Sequence, residues 1–359
     1  MIDSKRLVAA MILSAAVLSC RSTTPSCDND SLTAYPALLV LAPHPDDETL
    51  GFAGLIDAYR SAGKPVSVVV VTDGDAYCEA CQFWKNSTFG GPTCSAEDLS
   101  AFAEIRHAES TAAMNILGLP APRFLGYPDT GLAATWRNLS EGKPVEPVRR
   151  SDFSACTSCD CSRGYGGGPQ TTLTADTLMS SLRELIAAAP DGALIATTHW
   201  LDGHGDHAGL GNFVRRLSDK HPVAYAVIHA HTPKNTAHSD CWYPTPDAPV
   251  CPCFNDEAKA LADAGWISRI GSHRFHPSSP AALPDDADYG EEKQLCLREP
   301  LYRGNDAMKL RAVSSYKSQL GRLARSGSHP AALDGIMDCN GYLMSFVRRT
   351  EAFVLMEPK

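Results

Sequence analysis

Two clusters of histidine and acidic residues in this sequence have the composition of a metal-dependent active site. The first is His44-Pro-Asp-Asp-Glu48, and the second is His204-Gly-Asp-His207. Imidazole nitrogens and carboxylate oxygens are ligands that zinc and other catalytic divalent ions use in proteins. Because burying so many polar groups without a partner is costly, the two clusters together predict a metal site rather than two helix-capping loops.

A catalytic metal site needs three protein ligands and one open position for water. His44, Asp47 and His207 fit this requirement with two imidazoles and one carboxylate. Asp46 cannot readily share the ion with Asp47, because adjacent side chains diverge, so its carboxylate is predicted to take a proton from the activated water. His204, one helical turn before His207, is predicted to protonate a leaving group or to stabilise an oxyanion.

Two further acids lie beside and within the second cluster. Asp202 and Asp206 are predicted to orient the first histidine of that cluster through hydrogen bonds. An iron(II) oxygenase is an alternative hypothesis, because His44, Asp46 and His207 also form a two-histidine, one-carboxylate triad. The oxygenase hypothesis makes Asp46 a ligand, whereas the hydrolase hypothesis leaves it unligated.

Each cluster follows a short apolar run and precedes a helix-compatible pattern. The runs at 37–42 and 193–198 predict buried parallel strands, and open α/β sheets place their ligands at the carboxyl ends of such strands. Further strands are predicted at residues 65–72, 123–127 and 224–228, with a last edge strand at 352–356. Further helices are predicted at residues 97–118, 173–189 and 307–325.

The alternation of strands and helices predicts an α/β, Rossmann-like fold: a mostly parallel sheet with helices on both faces. Three long segments interrupt the alternation, near residues 76–96, 133–169 and 231–300, and each contains several cysteines. Since such long connections are usually functional or disordered, and crosslinks oppose disorder, we predict disulfide-bearing loops that enlarge a single domain at 35–359.

The first residues have the pattern of an export signal. Lys5 and Arg6 precede an apolar stretch that is too short to span a membrane and that ends in small residues. Cys20 completes a Val-Leu-Ser-Cys sequence that resembles a bacterial lipobox, whose cysteine is lipidated after cleavage. We therefore predict a lipoprotein-type signal peptide at 1–20 and a tether at 21–34, with a secretion signal as the alternative. Membrane contact would be through the lipid anchor only, on the periplasmic or cell-surface side.

The cysteine count and the net charge narrow the class of protein. Of 13 cysteines, twelve remain once Cys20 is set aside, and an even number outside the cytoplasm indicates disulfides. The groups at Cys78–Cys81 and Cys156–Cys161 are alternatively typical of structural zinc or iron–sulfur ligands. The net charge is −9 without any basic block, which argues against nucleic acid as a partner.

The two clusters resemble the motifs of the PIG-L/LmbE-like family of zinc-dependent N-acetylglucosaminyl deacetylases. The resemblance extends in blocks over roughly residues 37–230. Supporting blocks lie at Val68–Gly74, Arg106–Glu109, Leu117–Gly118, Phe124–Gly126, Asp129–Gly131 and Tyr316–Gln319. It implies a hydrolase that removes an N-acetyl or N-acyl group from an amino-sugar or glycoconjugate. A non-catalytic glycan-binding lipoprotein is the alternative.

The resemblance also implies the role of individual residues. By it, His44, Asp47 and His207 bind one zinc ion, Asp46 is the general base and His204 is the charged helper.

Arg106 and Asp129 are implied to bind the polar groups of the substrate. Without the resemblance, Arg106 could lie on a solvated helix face or form an ion pair with Glu109, and Asp129 could be a turn residue. Gly205 departs from the family pattern, which usually has proline there, and glycine loosens the backbone that orients the preceding histidine.

Overall fold

A computed structural model describes residues 29–77, 80–81, 84–85, 94–143, 172–226, 228, 291–296, 308–319, 343 and 350–358. Within these residues, seven strands form one sheet in the order β3-β2-β1-β4-β5-β7-β6. The strands are β1 (Leu38–Ala42), β2 (Val66–Thr72), β3 (Arg123–Tyr127), β4 (Leu194–Thr198), β5 (Val223–Ala226), β6 (Glu291–Cys296) and β7 (Thr350–Met356).

Eight helices accompany the sheet in the same part of the chain. They are α1 (Asn29–Leu32), α2 (Asp47–Leu50), α3 (Ala53–Ser61), α4 (Ala96–Ile116), α5 (Leu132–Ser140), α6 (Ala175–Ala188), α7 (Gly205–Leu217) and α8 (Met308–Val313). Capping boxes at Ser95–Asp98 and Thr174–Thr177 begin α4 and α6, because each cap hydroxyl accepts a backbone N–H that the helix leaves without a partner.

The five strands from β3 to β5 are parallel, and helices cover both faces of the sheet, which confirms the predicted fold class. β1 lies in the middle of these strands, and all five of its residues are buried. Its side chains alternate between two apolar cores: Leu38 and Val40 belong to one, and Leu39 and Leu41 to the other. A continuous apolar run in the sequence thus reflects burial on both faces of the sheet.

The predicted last edge strand is a strand, but the edge assignment was wrong. β7 pairs antiparallel with β5 on one side and antiparallel with β6 on the other, so β6 forms this edge. The segment 231–300, predicted to be irregular, contains β6. Its sequence, Glu-Glu-Lys-Gln-Leu-Cys, has no alternation of apolar and polar residues by which a strand could be recognised.

The predicted insertion at 133–169 begins too early. Residues 132–140 form α5, which packs on α7, with the rings of Trp136 and Phe213 5.2 Å apart. The approach is close because Gly209 faces the backbone of Leu132, where an added Cβ would lie 2.7 Å from the carbonyl carbon. Residues 144–169 of this insertion lie outside the described residues.

The predicted tether and the predicted C-terminal helix also need correction. Leu32 of α1 is fully buried and its carbonyl accepts a 2.8 Å hydrogen bond from Tyr59, so the folded domain begins before residue 35. α8 ends at Val313 and is followed by turns through residue 319, whereas the apolar pattern predicted a helix over 307–325. Residues 320–325 lie outside the described part of the chain.

One disulfide is present among the side chains that the structure describes. Cys81 and Cys94 are bonded within the predicted loop at 76–96, and both are buried. The other predicted disulfide cysteines, Cys20 and the predicted signal peptide lie outside the described residues or side chains. None of the helices described above has both the length and the hydrophobicity that crossing a membrane requires.

Candidate metal and catalytic site

The two polar clusters meet at the carboxyl edge of the parallel sheet. β1 and β4 are adjacent and parallel, with Leu41 opposite Thr197, so the loops that follow them begin side by side. The first loop carries His44 and leads into α2, and the second leads into α7 at Gly205. This juxtaposition is the one that the two apolar runs predicted.

Asp47 lies between two imidazoles. Its Oδ2 is 3.1 Å from Nδ1 of His44 and 3.2 Å from Nε2 of His207. All three side chains are at most 9% exposed. Nitrogens of His44, His204 and His207 also lie within 4.8 Å of one another. The structure therefore brings the three predicted ligands together, with His204 beside them.

The donor set fits a divalent cation. His44, Asp129 and Asp206 form a second group whose ligand atoms lie within 4.8 Å of one another. Burial lowers the pKa of His207, but the charges of Asp47 and Asp202 outweigh burial and raise it to about 9. Acids around these imidazoles therefore stabilise positive charge at this position, and the nitrogen and oxygen donors are those that zinc accepts.

Asp46 has different surroundings from its neighbour Asp47. Its Oδ2 lies 3.1 Å from Nη2 of Arg106, and its side chain is 10% exposed. Burial raises the pKa of Asp46 to about 7, against the lowering effect of the Arg106 charge and with a further increase from Asp47. A carboxylate with a pKa near neutrality, next in the chain to a predicted metal ligand and in contact with Arg106, can accept and return a proton.

His204 occupies the N-cap position of α7, with φ −89° and ψ 132°. Gly205 begins the helix directly after it, so the departure from the family pattern leaves the helix start intact. Desolvation of this half-buried imidazole lowers its pKa to about 4, and the positive charges of His207 and His44 act in the same direction. The neutral form of His204 is therefore favoured near pH 7.

Asp202 and Asp206 connect the second cluster to its surroundings. Asp202 accepts hydrogen bonds from the backbone N–H groups of His204, at 2.9 Å, and Ile228, at 2.7 Å. Its Oδ1 is also 3.5 Å from Nδ1 of His207. Asp206 accepts the N–H of Leu132 at 3.0 Å with one oxygen.

The other oxygen of Asp206 lies 3.5 Å from Nε2 of His44, so this acid contacts the first cluster. Asp129 contacts the same nitrogen: its Oδ1 is 3.0 Å away. Burial raises the pKa of Asp129, but the attraction of His44 outweighs burial and lowers that pKa below its usual range. Asp129 therefore stabilises the protonated form of His44, and it also lines a cavity beside the site.

Arg106 is almost fully buried and holds the first loop in place. Its Nη1 donates to the carbonyl of Gly74 at 2.5 Å, and its Nη2 donates to the carbonyl of Pro45 at 2.8 Å. Gly74 has φ +60°, and an added Cβ there would lie 2.1 Å from Arg106, so glycine is required at this contact. Arg106 thus contacts Asp46 and the motif backbone in addition to lining the cavity.

A cavity of about 160 Å³ opens beside these residues. Its wall includes the proposed metal ligands, together with Asp46, Arg106, Asp129 and His204. Four further residues of the wall are Tyr77, Thr130, Gln319 and Leu343. Thr130 and Leu343 have no role that the sequence predicts, and Gln319 stands only at the end of a supporting block. Leu343 and Gln319 lie far along the chain from both clusters, and only the resemblance to a family block marked Gln319.

Glu48, to which the sequence pattern assigned no role of its own, is fully buried. It stands inside the first motif, but an acid at the start of a helix is equally typical of helix capping.

Comparison with known proteins identifies the family. The family model described as PIG-L, GlcNAc-PI de-N-acetylase, matches residues 39–218, which is half of the chain. The 1D-myo-inositol 2-acetamido-2-deoxy-alpha-D-glucopyranoside deacetylase of Nocardia farcinica is 35% identical over 107 residues, covering 29% of this chain and 34% of that protein. This chain therefore spans about a third of that relative's length.

Two longer similarities extend beyond the matched family segment. The protein of the same name from Rhodococcus jostii is 27% identical over 310 residues, covering 83% of this chain and 86% of that protein. Among solved structures, an inhibitor complex of N,N'-diacetylchitobiose deacetylase from Pyrococcus horikoshii is 16% identical, with a TM-score of 0.42, covering 100% of this chain and 94% of that chain. Because the family model spans both polar clusters and the strands that position them, this chain belongs to the PIG-L family.

Proposed function

We propose that this protein is a zinc-dependent hydrolase that removes an N-acetyl, or another N-acyl, group from an amino-sugar or glycoconjugate. The observation that carries the proposal is the position of Asp47 Oδ2 within 3.2 Å of both His44 and His207, while Asp46 faces Arg106 instead. Membership of the PIG-L family supports it. So do the curated relatives, which are named as deacetylases of an acetamido sugar.

His44, Asp47 and His207 would hold the zinc ion. When bound, zinc supplies Lewis acidity that makes water a nucleophile near neutral pH. Asp46 accepts one proton from the attacking water, and its pKa of about 7 suits both this step and the later release of the proton. The water oxygen bonds to the acyl carbon, the C–N bond breaks as Asp46 returns its proton to the nitrogen, and the amine and the carboxylic acid leave.

His204 assists at the carbonyl oxygen in this proposal. Its lowered pKa favours a neutral imidazole, so a hydrogen bond from its N–H to the developing oxyanion fits the structure better than a permanently charged helper. Arg106 and Asp129 line the cavity and are proposed to contact the polar groups of the sugar. Arg106 has the second role of holding Asp46.

The decisive experiment measures acetate release from N-acetylated amino-sugars, mono- and oligomeric, by the purified protein. We expect activity to disappear on chelation and to return with stoichiometric zinc, with one ion bound per chain. Glycan binding without acetate release, at full zinc loading, would replace the hydrolase proposal by the glycan-binding one. Dependence on iron and oxygen would favour the oxygenase, although the contact between Asp46 and Arg106 disfavours a ligand role for Asp46.

We further propose that the protein is exported and anchored through a lipid on Cys20. The support is the charged and apolar composition of residues 1–20, together with the bonded pair Cys81–Cys94, which is typical of oxidising compartments. Metabolic labelling with palmitate should mark the wild type and not Cys20→Ala. Labelling of both proteins, or of neither, would contradict the anchor.

A further inference from the structure

The proposed general base, Asp46, has an unusual backbone conformation. Its φ is 149° with ψ −33°, and in the described chain only Thr130 shares a positive φ among residues other than glycine. Such conformations are strained and persist only where neighbouring groups hold them. Arg106 contacts the carboxylate of Asp46, whereas a different side chain contacts its backbone N–H.

Glu48 holds the backbone of Asp46. Its Oε2 accepts the N–H of Asp46 at 2.9 Å, which ties the strained residue to the first turn of α2. Its Oε1 accepts hydrogen bonds from the hydroxyls of Ser110, at 2.5 Å, and Tyr316, at 2.6 Å. Glu48 is fully buried, so these donors, rather than water, fix the direction of its carboxylate.

Tyr316 comes from a distant part of the chain. It follows α8, lies outside the segment that matches the family model, and is fully buried in the apolar core on this face of the sheet. Its hydroxyl is also 2.7 Å from Oγ1 of Thr49. The phenol is therefore fixed by packing and by two hydrogen bonds, and it forms no part of the cavity wall.

We propose that Tyr316 is a positioning residue for catalysis, which acts through Glu48 to hold Asp46 in its strained orientation. The proposal rests on the proposed function, because it takes Asp46 to be the base. Without the phenol hydroxyl, the Glu48 carboxylate loses one of its two side-chain donors on Oε1 and can turn away from the N–H of Asp46. The direction of the base changes, while the ligands and the cavity wall are left intact.

The test compares Tyr316→Phe with Tyr59→Phe in the zinc-loaded full chain. Tyr59 is a matched control, because it is equally buried and also donates one hydrogen bond, to the carbonyl of Leu32. We expect Tyr316→Phe to lower kcat about 10-fold, the size typical of partners that act through another residue, with KM and bound zinc unchanged. Tyr59→Phe should keep the kcat of the wild type.

A second readout does not require activity. Amide hydrogen exchange of the peptide spanning residues 44–49 should be faster in Tyr316→Phe than in the wild type, and unchanged in Tyr59→Phe. Glu48→Gln, which keeps one oxygen for the N–H of Asp46, should retain more kcat than Glu48→Met. Equal kcat and equal exchange in the two phenylalanine variants would overturn the proposal. If the wild type releases no acetate, the proposed function fails, but the exchange comparison still decides whether Tyr316 holds this loop.

Discussion

Two buried groups of charged side chains differ in how their charges are compensated. In the first, Lys309 lies 2.5 Å from Glu351 and also donates to the carbonyl of Leu50 at 2.9 Å. The Glu351 carboxylate accepts the N–H groups of Gly54, at 2.9 Å, and Leu55, at 3.1 Å. Each charge thus has an opposite charge and a backbone partner, which is the arrangement expected of a structural ion pair.

The second group, at the carboxyl edge of the sheet, is crowded instead of paired. Nitrogens of three imidazoles lie within 4.8 Å of one another, and the Asp47 carboxylate contacts two of these imidazoles. The pKa of His207 is raised to about 9 and that of His204 lowered to about 4, although their rings are 4.7 Å apart. Paired charges thus stabilise one arrangement of the chain, whereas the crowded imidazoles and carboxylates form the candidate site for a cation.

The largest expected effect is that of removing the base from the crowded group. Asp46→Asn should lower kcat by about 10²–10⁴-fold, because general-base catalysis contributes about that factor. Bound zinc should remain at one per chain, since Asp46 is not a proposed ligand. Asp219→Asn, at an exposed position, is the control. Loss of zinc from Asp46→Asn would show that Asp46 belongs to the ligands.

The next effect concerns the paired group and should appear in stability. Lys309→Met leaves the buried Glu351 without its cation and should lower the free energy of unfolding by about 3–5 kcal/mol. Denaturant unfolding measures this change. Arg311→Met, at an exposed position of the same helix, should change it by no more than about 0.5 kcal/mol. Equal stability of the two variants would remove the distinction between paired and crowded charges.

A smaller effect is expected at Asp202, whose carboxylate contacts His207 of the crowded group. Asp202→Asn removes the negative charge beside His207 and should weaken zinc binding about 10–100-fold, as is typical for partners of metal-binding histidines. Competition with a chromophoric chelator measures the affinity, again with Asp219→Asn as control. An unchanged affinity would limit Asp202 to its hydrogen bonds with the backbone.

The smallest effect is a pH dependence of stability at Glu109, outside both groups. Burial raises the pKa of Glu109 to about 7, against the hydrogen bonds from Ser318. The raised pKa favours the protonated form of Glu109 in the folded state. Glu109 therefore contributes its full stabilisation below its unfolded pKa near 4.5, and this stabilisation is lost as the pH rises through about 7.

Glu109→Gln should remove this loss, which for one proton is at most about 1.4 kcal/mol per pH unit. Unfolding curves between pH 4.5 and 8 measure the difference from the wild type. Glu104→Gln, exposed on the same helix, should follow the wild type at every pH. A parallel course of the wild type and Glu109→Gln would contradict the raised pKa.

The parallel part of the sheet and the location of the candidate site were predictable from the residues alone. β1 and β4 are apolar runs buried on both faces, and local burial of this kind is visible in the residues themselves. His44 and His207 come directly after these strands or in the helix that follows, so the rule for ligand positions in parallel sheets was sufficient to bring them together.

The distant groups that complete the site and the edge of the sheet could not be predicted from the sequence. Tyr316 meets Glu48 across 268 residues, and Glu351 meets Gly54 across 297 residues. The polar strand β6 is stabilised by pairing with β7 and not by a pattern of its own. Hydrogen bonds and ion pairs between remote segments depend on how the chain packs. Because they leave no periodicity in the local sequence, these contacts could not be predicted from it.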